Sequence, residues 1–121
     1  MKYVLLVYGE EQKLHDLTKA EMAQVDRESM AHDRSLEKSG HLIIAQALQP
    51  VRTSKSVRRR SGVKEISEGP FAETKEQLLG FVMVEAKDLD EALAIAGDIP
   101  LARIGTVEVR AIYDVPDPDA A

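Results

Sequence analysis

The 121-residue sequence contains no cysteine and no tryptophan, and aromatic residues make up only 4% of it. Without cysteine the chain has no disulfide, no thiolate nucleophile and no cysteine-ligated metal. Its apolar runs are too short for a membrane-spanning helix or for the core of a signal peptide followed by a cleavage site. We therefore expect a cytoplasmic protein with no membrane contact.

The charge balance argues against a nucleic-acid partner. The formal net charge is −5 at pH 7, whereas neutralising phosphates requires a basic surface. The one basic run, Arg58–Arg60, has no aromatic neighbours on which bases could stack. We interpret it as the edge of a solvated hairpin, where charge opposes aggregation.

The residues that are present are typical of one folded domain. Hydrophobic residues make up 44% of the chain and charged residues 31%, which excludes disordered and fibrous classes. A chain of this length forms a single core. No linker, repeat or low-complexity tract divides it. We assign residues 1–114 to one domain and residues 115–121, which include two prolines, to a flexible C-terminal tail.

A long helix is predicted to follow Thr18 as N-cap and to run to about Ser39. Thr18 and Glu21 have the spacing of a capping box, and Gly40 supplies the left-handed residue that often ends a helix. One stripe of the helix carries residues at steps of three and four: Met22, Val25, Ser29, His32 and Leu36. The pattern places Asp33 away from this stripe.

Strands and a second helix account for the rest of the domain. The second helix starts at the capping pattern of Asp88 and Glu91 and is stopped by Pro100. Its predicted buried residues are Leu89, Ala92, Leu93 and Ala96. The predicted strands are Tyr3–Tyr8, His41–Leu48, Leu79–Glu85 and Gly105–Tyr113. The segment Val57–Ile66, broken at Ser61-Gly62, is predicted to be either a polar hairpin or a strand with a bulge.

This order of elements predicts an α+β fold of the ferredoxin-like type. It is a split βαβ sandwich in which two main helices cover one face of an antiparallel sheet. The strands are apolar on both sides, so the other face also needs a cover. A second copy of the chain is the simplest one, and we expect a homodimer of the dimeric α+β barrel type.

His32 is the main candidate for chemistry because it lies on the apolar stripe beside Ser29. A half-buried histidine can act as a general acid or base near neutral pH, and the alternative is a core histidine satisfied by one hydrogen bond. Asp98 is the candidate carboxylate partner, since the two helices of this fold lie side by side; the alternative is a solvated turn residue. No residues have the spacing of a metal site, and we expect no cofactor.

A rigid turn over Glu68–Phe71 is the second candidate region. Gly69 permits a positive φ, Pro70 restricts its neighbour and Phe71 offers an apolar ring, so the turn is predicted to close one end of a pocket. The segment Thr74–Gln77 has the pattern of a one-turn helix. The predicted ligand-binding residues are Ser29, Glu68, Gly69, Pro70, Phe71 and Phe81.

The stretch Glu68-Gly-Pro-Phe-Ala-Glu-Thr-Lys-Glu-Gln-Leu-Leu-Gly-Phe81 resembles the signature of the DGPF group within the YCII-related domain family. Glutamate takes the first position, where that group has aspartate. The resemblance continues through Met1–Tyr8 and Ile104–Arg110. It implies a ferredoxin-like fold, a dimer and, from the YCII branch, a histidine and aspartate pair in a pocket. That pair corresponds here to His32 and Asp98.

Two hypotheses about function remain open. The first is a cofactor-free enzyme that acts on a small polar or aromatic molecule by acid–base catalysis at His32. The second is a non-enzymatic ligand-binding or regulatory module. The resemblance keeps the second open, because DGPF proteins are often encoded beside extracytoplasmic-function sigma factors, which implies a bacterial stress or regulatory setting. A perturbed titration of His32 and a pocket lined by Phe71 and Phe81 would favour the first hypothesis, and an exposed apolar patch with a solid, pocketless interior would favour the second.

Overall fold

A computed structural model of the chain describes residues 1–120. Short 3-10 turns lie at Val51–Thr53 and Pro100–Arg103. The helices and strands are β1 (Lys2–Gly9), α1 (Glu11–His15), α2 (Lys19–Ser39), β2 (Leu42–Ala47), β3 (Lys55–Arg60), β4 (Val63–Glu68), β5 (Gln77–Glu85), α3 (Leu89–Gly97) and β6 (Thr106–Ala111).

Four of the strands form one antiparallel sheet in the order β2-β5-β1-β6. The central strand β1 pairs with β5 on one side and with β6 on the other, so that Leu5 lies opposite both Val82 and Val109. The helices α2 and α3 provide the two crossovers of a split βαβ arrangement. This architecture is consistent with the predicted ferredoxin-like α+β fold. The third helix, α1, was not predicted.

The core lies between the helices and one face of the sheet. Leu5 and Val84 are fully buried there. Side chains alternate across a strand, so Val4 and Leu6 lie on the opposite face, where they are only half-buried. The buried apolar residues that complete the core are Tyr3, Val7, Leu36, Val82, Ala86, Ala92, Ile95, Ala96 and Ile99.

The predicted buried side of α3 is partly wrong. Ala92 and Ala96 are buried as expected, but Leu93 is 49% exposed and Leu89 is also exposed. Ile95 is buried instead. The chain from α3 into the following turn repeats its buried positions at steps of three and four, and this repeat excludes the leucines.

The predicted caps of the long helix are confirmed. Thr18 Oγ1 accepts a hydrogen bond from the Glu21 amide at 3.1 Å, and Glu21 Oε1 accepts one from the Thr18 amide at 2.9 Å. Gly40 ends the helix in the left-handed conformation, with φ at 82°. Within this 21-residue helix only Leu36 is buried. Most of α2 therefore lies at a distance from the sheet.

The strands β3 and β4 form a separate two-stranded hairpin, which is the first of the two alternatives predicted for Val57–Ile66. Its turn has positive φ at both Ser61 and Gly62, which is the geometry of a two-residue hairpin loop. Val57 pairs with Ile66 across the hairpin, and both side chains are exposed. The hairpin therefore lies outside the core.

The remaining segments differ from the predictions in small ways. Thr74–Gln77 forms no helix; Gln77 Nε2 donates instead to the Thr74 carbonyl at 2.7 Å as the chain enters β5. Residues 115–120 are exposed and contain neither helix nor strand. The last residue of the predicted tail, Ala121, lies outside the described residues, and the flexibility of the tail stays a prediction.

Candidate functional site

A cavity of about 390 Å³ separates α2 from the sheet. This volume lies at the lower end of the range of small-molecule pockets. Beneath α2 the sheet provides the floor through Val7, Ala45, Ala47, Gly80 and Val82. The wall on α2 consists of Met22, Val25, Asp26, Ser29, His32 and Asp33. Residues of α1 and Ile99, Pro100 and Leu101 complete the lining.

The cavity exists because the floor is made of small residues. Ala45 pairs with Val82 and Ala47 pairs with Gly80, so two adjacent strands present little side-chain volume beneath α2. Gly80 cannot be larger, because a Cβ at this position would lie 2.6 Å from the Gln46 carbonyl oxygen. The strands therefore approach closely and leave open space below the helix.

His32 and Asp33 place two ionisable groups on the wall of this cavity. Both residues are half-buried. Within residues 1–120, neither side chain makes a hydrogen bond or an ion pair, and the same holds for Ser29. Burial raises the pKa of Asp33 above its ordinary value, and the nearby charge of His32 opposes this shift. The site therefore holds polar side chains that have no hydrogen-bond or ion-pair partner within residues 1–120, and these lie beside an apolar surface.

The position of Asp33 corrects the helical stripe that the sequence pattern predicted. Asp33 was expected to point away from His32, but both residues line the cavity. Asp33 follows Ser29 by four residues, which is a spacing that shares a helix face. This spacing is the signal that identifies Asp33 in the sequence. The stripe is wider than predicted because it lines an open cavity instead of a narrow packed seam.

The short helix α1 adds groups that the sequence reasoning missed. Glu11 Oε2 accepts a hydrogen bond from the Val51 amide at 2.9 Å and so ties α1 to the segment after β2. His15 is exposed and lies at the mouth of the cavity. The signal in the sequence is the charge pattern, with acidic Glu11 in the first turn and basic Lys13 and His15 in the last.

Three of the predicted site residues border this cavity: Ser29, His32 and Phe81. Phe81 lies between Gly80 and Val82 in the floor. Since Val82 is buried on the helix-covered face, alternation along β5 places the ring of Phe81 on the opposite face of the sheet. The main chain of Phe81 therefore borders the cavity, and its ring belongs to the other side.

Asp98 lies outside the cavity. It is the exposed C-cap of α3, and its amide donates to carbonyls of the last turn. Within residues 1–120 its side chain makes no hydrogen bond or ion pair, and none links it to His32. The pairing of His32 with Asp98 stays a prediction.

The Glu68–Phe71 turn also lies apart from the cavity. Glu68 ends β4 and forms an ion pair with Lys55 across the hairpin. Gly69 has φ at 81°, as predicted, and its amide donates to the Ser54 carbonyl at 2.8 Å; the rigidity of the turn stays a prediction. Pro70 follows it, and Phe71 is 79% exposed. A contribution of this turn to a ligand site stays a prediction.

Comparison with known proteins identifies the family of this chain. The pattern of the YCII-related domain matches residues 1–116. An uncharacterized protein of Rhizobium meliloti (strain 1021) is 38% identical over 112 residues, which cover 91% of this chain and 90% of the relative. The chain belongs to the YCII-related domain family. Neither comparison attaches an activity to the YCII-related fold, so the function is argued from the site.

A second polar network in this YCII-related chain has a structural role. Ser39 Oγ lies 2.6 Å from His41 Nδ1, and His41 Nε2 lies 3.1 Å from Glu91 Oε1. The Lys87 amide, followed by His41, lowers the pKa of Glu91. This order of groups resembles an activated nucleophile. However, Ser39 ends a helix, where main-chain carbonyls disfavour a developing negative charge. We interpret the network as a clamp between α2 and α3.

The described part of the YCII-related chain offers no separate metal site. Within it, no three or more histidine, aspartate and glutamate side chains are grouped so that they could hold an ion. In residues 1–120, no helix combines the length and the apolar composition that crossing a bilayer requires.

Proposed function

We propose that this YCII-related protein binds a small molecule between α2 and the sheet and acts on it by acid–base chemistry at His32. The main support for the proposal is that His32 and Asp33, whose side chains have no hydrogen-bond or ion-pair partner within residues 1–120, lie together on the wall of a cavity of about 390 Å³. An apolar cavity with a few convergent polar groups is the usual form of a small-molecule site. The proposal requires no cofactor.

The two groups suit different roles. Asp33 is half-buried on the cavity wall, where its carboxylate can accept a hydrogen bond from the ligand. His32, in its neutral form, can accept a proton from the ligand. Ser29 lies on the same wall and provides a hydroxyl that orients the ligand. Asp98 is the alternative partner of His32 that the family resemblance proposes.

We also assign the chain to the DGPF group, on the strength of the Glu68–Phe81 segment, and place it in a bacterial cytoplasm. In a single chain, the Glu68–Phe71 turn lies outside the cavity. A contribution of Phe71 to binding therefore requires movement of this segment or a second copy of the chain.

A homodimer of the α+β barrel type is part of this proposal. The half-buried face of the sheet includes Val4 and Leu6 from β1 and Met83 from β5, and it would be covered by the same face of a second chain. Light scattering at micromolar concentration should give the mass of a dimer. Leu6→Asp should yield monomers, while Leu93→Asp, on the exposed side of α3, should not. A monomeric wild-type protein would contradict this assembly.

The decisive experiment for the site combines binding and titration by NMR. A library of small fragments should shift the amide signals of Ser29, His32 and Asp33. The pH titration curve of the His32 ring should change in Asp33→Asn and stay as in the wild type in Glu37→Gln, which removes a charge from the exposed side of α2. The same experiment on Asp98→Asn tests the alternative partner. Fragments that leave all cavity signals unchanged would refute the proposed site.

A second function is favoured by the exposed hairpin. Val57, Val63 and Ile66 are exposed on β3 and β4, and Phe71 follows them. An isolated two-stranded hairpin is marginally stable in water, and apolar residues on it favour a protein partner. The exposed hairpin supports a regulatory module with a protein partner, and the resemblance to the DGPF group suggests an extracytoplasmic-function sigma factor as that partner. Calorimetric titration with such a factor from the same organism tests it, and equal binding by Val57→Lys combined with Ile66→Lys would exclude the hairpin.

A further inference from the structure

We infer that the ligand of the cavity is a cation: a small amine with an apolar body and one protonated nitrogen. This inference rests on the proposed small-molecule site and adds the chemical class of its ligand. It comes from the charges that face the cavity and from those that do not.

The ionisable groups on the cavity wall are acidic or are histidines. Three carboxylates line it, from Glu11, Asp26 and Asp33, together with the imidazoles of His15 and His32. No lysine or arginine is among the described lining residues. Carboxylate and phosphate ligands are normally held by such cations. A negatively charged ligand would therefore face three carboxylates, with only the two imidazoles to oppose them, whereas an ammonium group would be attracted by the carboxylates.

Asp33 is the carboxylate that would hold the ammonium group. Asp26 is exposed at the mouth, and Glu11 is already bonded to the Val51 amide at 2.9 Å. Asp33 is half-buried and, within residues 1–120, has no hydrogen-bond or ion-pair partner. Burial without a partner disfavours its charged form, and a bound ammonium would reverse this effect. The ammonium group would give Asp33 the ion-pair partner that it lacks within residues 1–120.

The rest of the wall determines the body of the ligand. Apart from the ionisable groups, Ser29 and Gln46, the lining consists of apolar side chains and Gly80, with Val25 and Met22 on the helix and Val82 in the floor. A volume of about 390 Å³ admits one ring or a short branched chain attached to the amine. Polyamines with several charges fit poorly, because their second charge would lie against the apolar floor.

The test uses three probes of similar shape and different charge: 2-phenylethylamine, 2-phenylethanol and phenylacetate. Binding to the full chain is followed by amide shifts of Ser29, His32 and Asp33 at neutral pH. We expect the amine to bind at least tenfold more tightly than the alcohol, and phenylacetate to bind more weakly than both. Asp33→Asn should remove the advantage of the amine over the alcohol, while Glu37→Gln, with the same loss of charge outside the cavity, should preserve it.

The outcomes separate this inference from the proposed function. Equal or tighter binding of the alcohol or of phenylacetate would overturn the amine class and leave the small-molecule site intact. An advantage of the amine that survives in Asp33→Asn would overturn the role of Asp33. Absence of any shift at the cavity with all three probes would overturn the amine class, and the fragment and titration experiments would then decide the site independently. Variants that fail to fold are detected from the same amide spectra.

Discussion

Filling the cavity should stabilise the fold while blocking the site. Ala45 lies in the floor, opposite Val82 in the neighbouring strand, and borders the open space beneath α2. Replacing it with leucine adds three carbons. Each buried methylene contributes about 0.8 kcal/mol, so the upper limit is about 2.4 kcal/mol. Ala45 is only half-buried, and we therefore expect Ala45→Leu to gain about 1–2 kcal/mol.

The matched control is the same substitution in a filled region. Ala92 is fully buried in α3 and packs in the core. Ala92→Leu has no space to occupy and should cost about 1–3 kcal/mol. Urea unfolding measures both effects as a change in midpoint at constant slope. If Ala45→Leu destabilises the protein as much as Ala92→Leu does, the space beneath α2 is not present in solution, and this result would refute the proposed site.

Three further predictions concern pH, capping and close packing. Asp33 has a raised pKa in the folded state, so the folded protein loses stability as the pH rises from the unfolded-state pKa to the folded-state pKa of this group. Asp33→Asn should therefore have a higher Tm than the wild type at neutral pH and an equal Tm at strongly acidic pH. A lower Tm of the variant at neutral pH would contradict the raised pKa. Thr18→Ala removes the N-cap of α2 and should lower the free energy of unfolding in urea by about 1 kcal/mol, whereas Thr18→Ser should keep most of the stability that the cap provides. An equal loss of stability in both variants would exclude capping as the cause. Gly105→Ala should cost about 1–3 kcal/mol because its Cβ would overlap the Tyr8 carbonyl oxygen, and an unchanged urea midpoint would show that the strands can separate there.

The fold could be predicted because its signals are local. The capping box of Thr18 and Glu21, the left-handed Gly40 and the turn at Ser61-Gly62 each depend on a few adjacent residues, and all are formed. Helix α1 was missed because its N-cap makes no side-chain hydrogen bond and its five residues contain a single apolar one, Leu14. The exposed side of α3 depends on packing against the sheet, which helical spacing alone does not define.

The candidate site was harder to predict, because it depends on what distant segments leave empty. His32 and Ser29 were found from their place on the helical stripe, and both line the cavity. The cavity itself results from Ala45 and Gly80, which lie far apart in the sequence and become neighbours only through strand pairing. Periodicity identifies positions where large residues recur, and it carries no signal for space. The sequence therefore predicted the wall of the site and not its floor.

The sparse attachment of α2 has a mechanical consequence. Near its C-terminal end the helix is fixed by buried Leu36, and midway Glu28 Oε2 accepts a hydrogen bond from Arg103 Nη2 at 2.6 Å. The residues of the N-terminal half that line the cavity are Met22, Val25 and Asp26, and none of them is buried. Amide hydrogen exchange should be slow around Leu36 and fast around Met22, with a ligand in the cavity slowing the fast end. Ligand binding would then order the same part of α2 that forms the wall of the site.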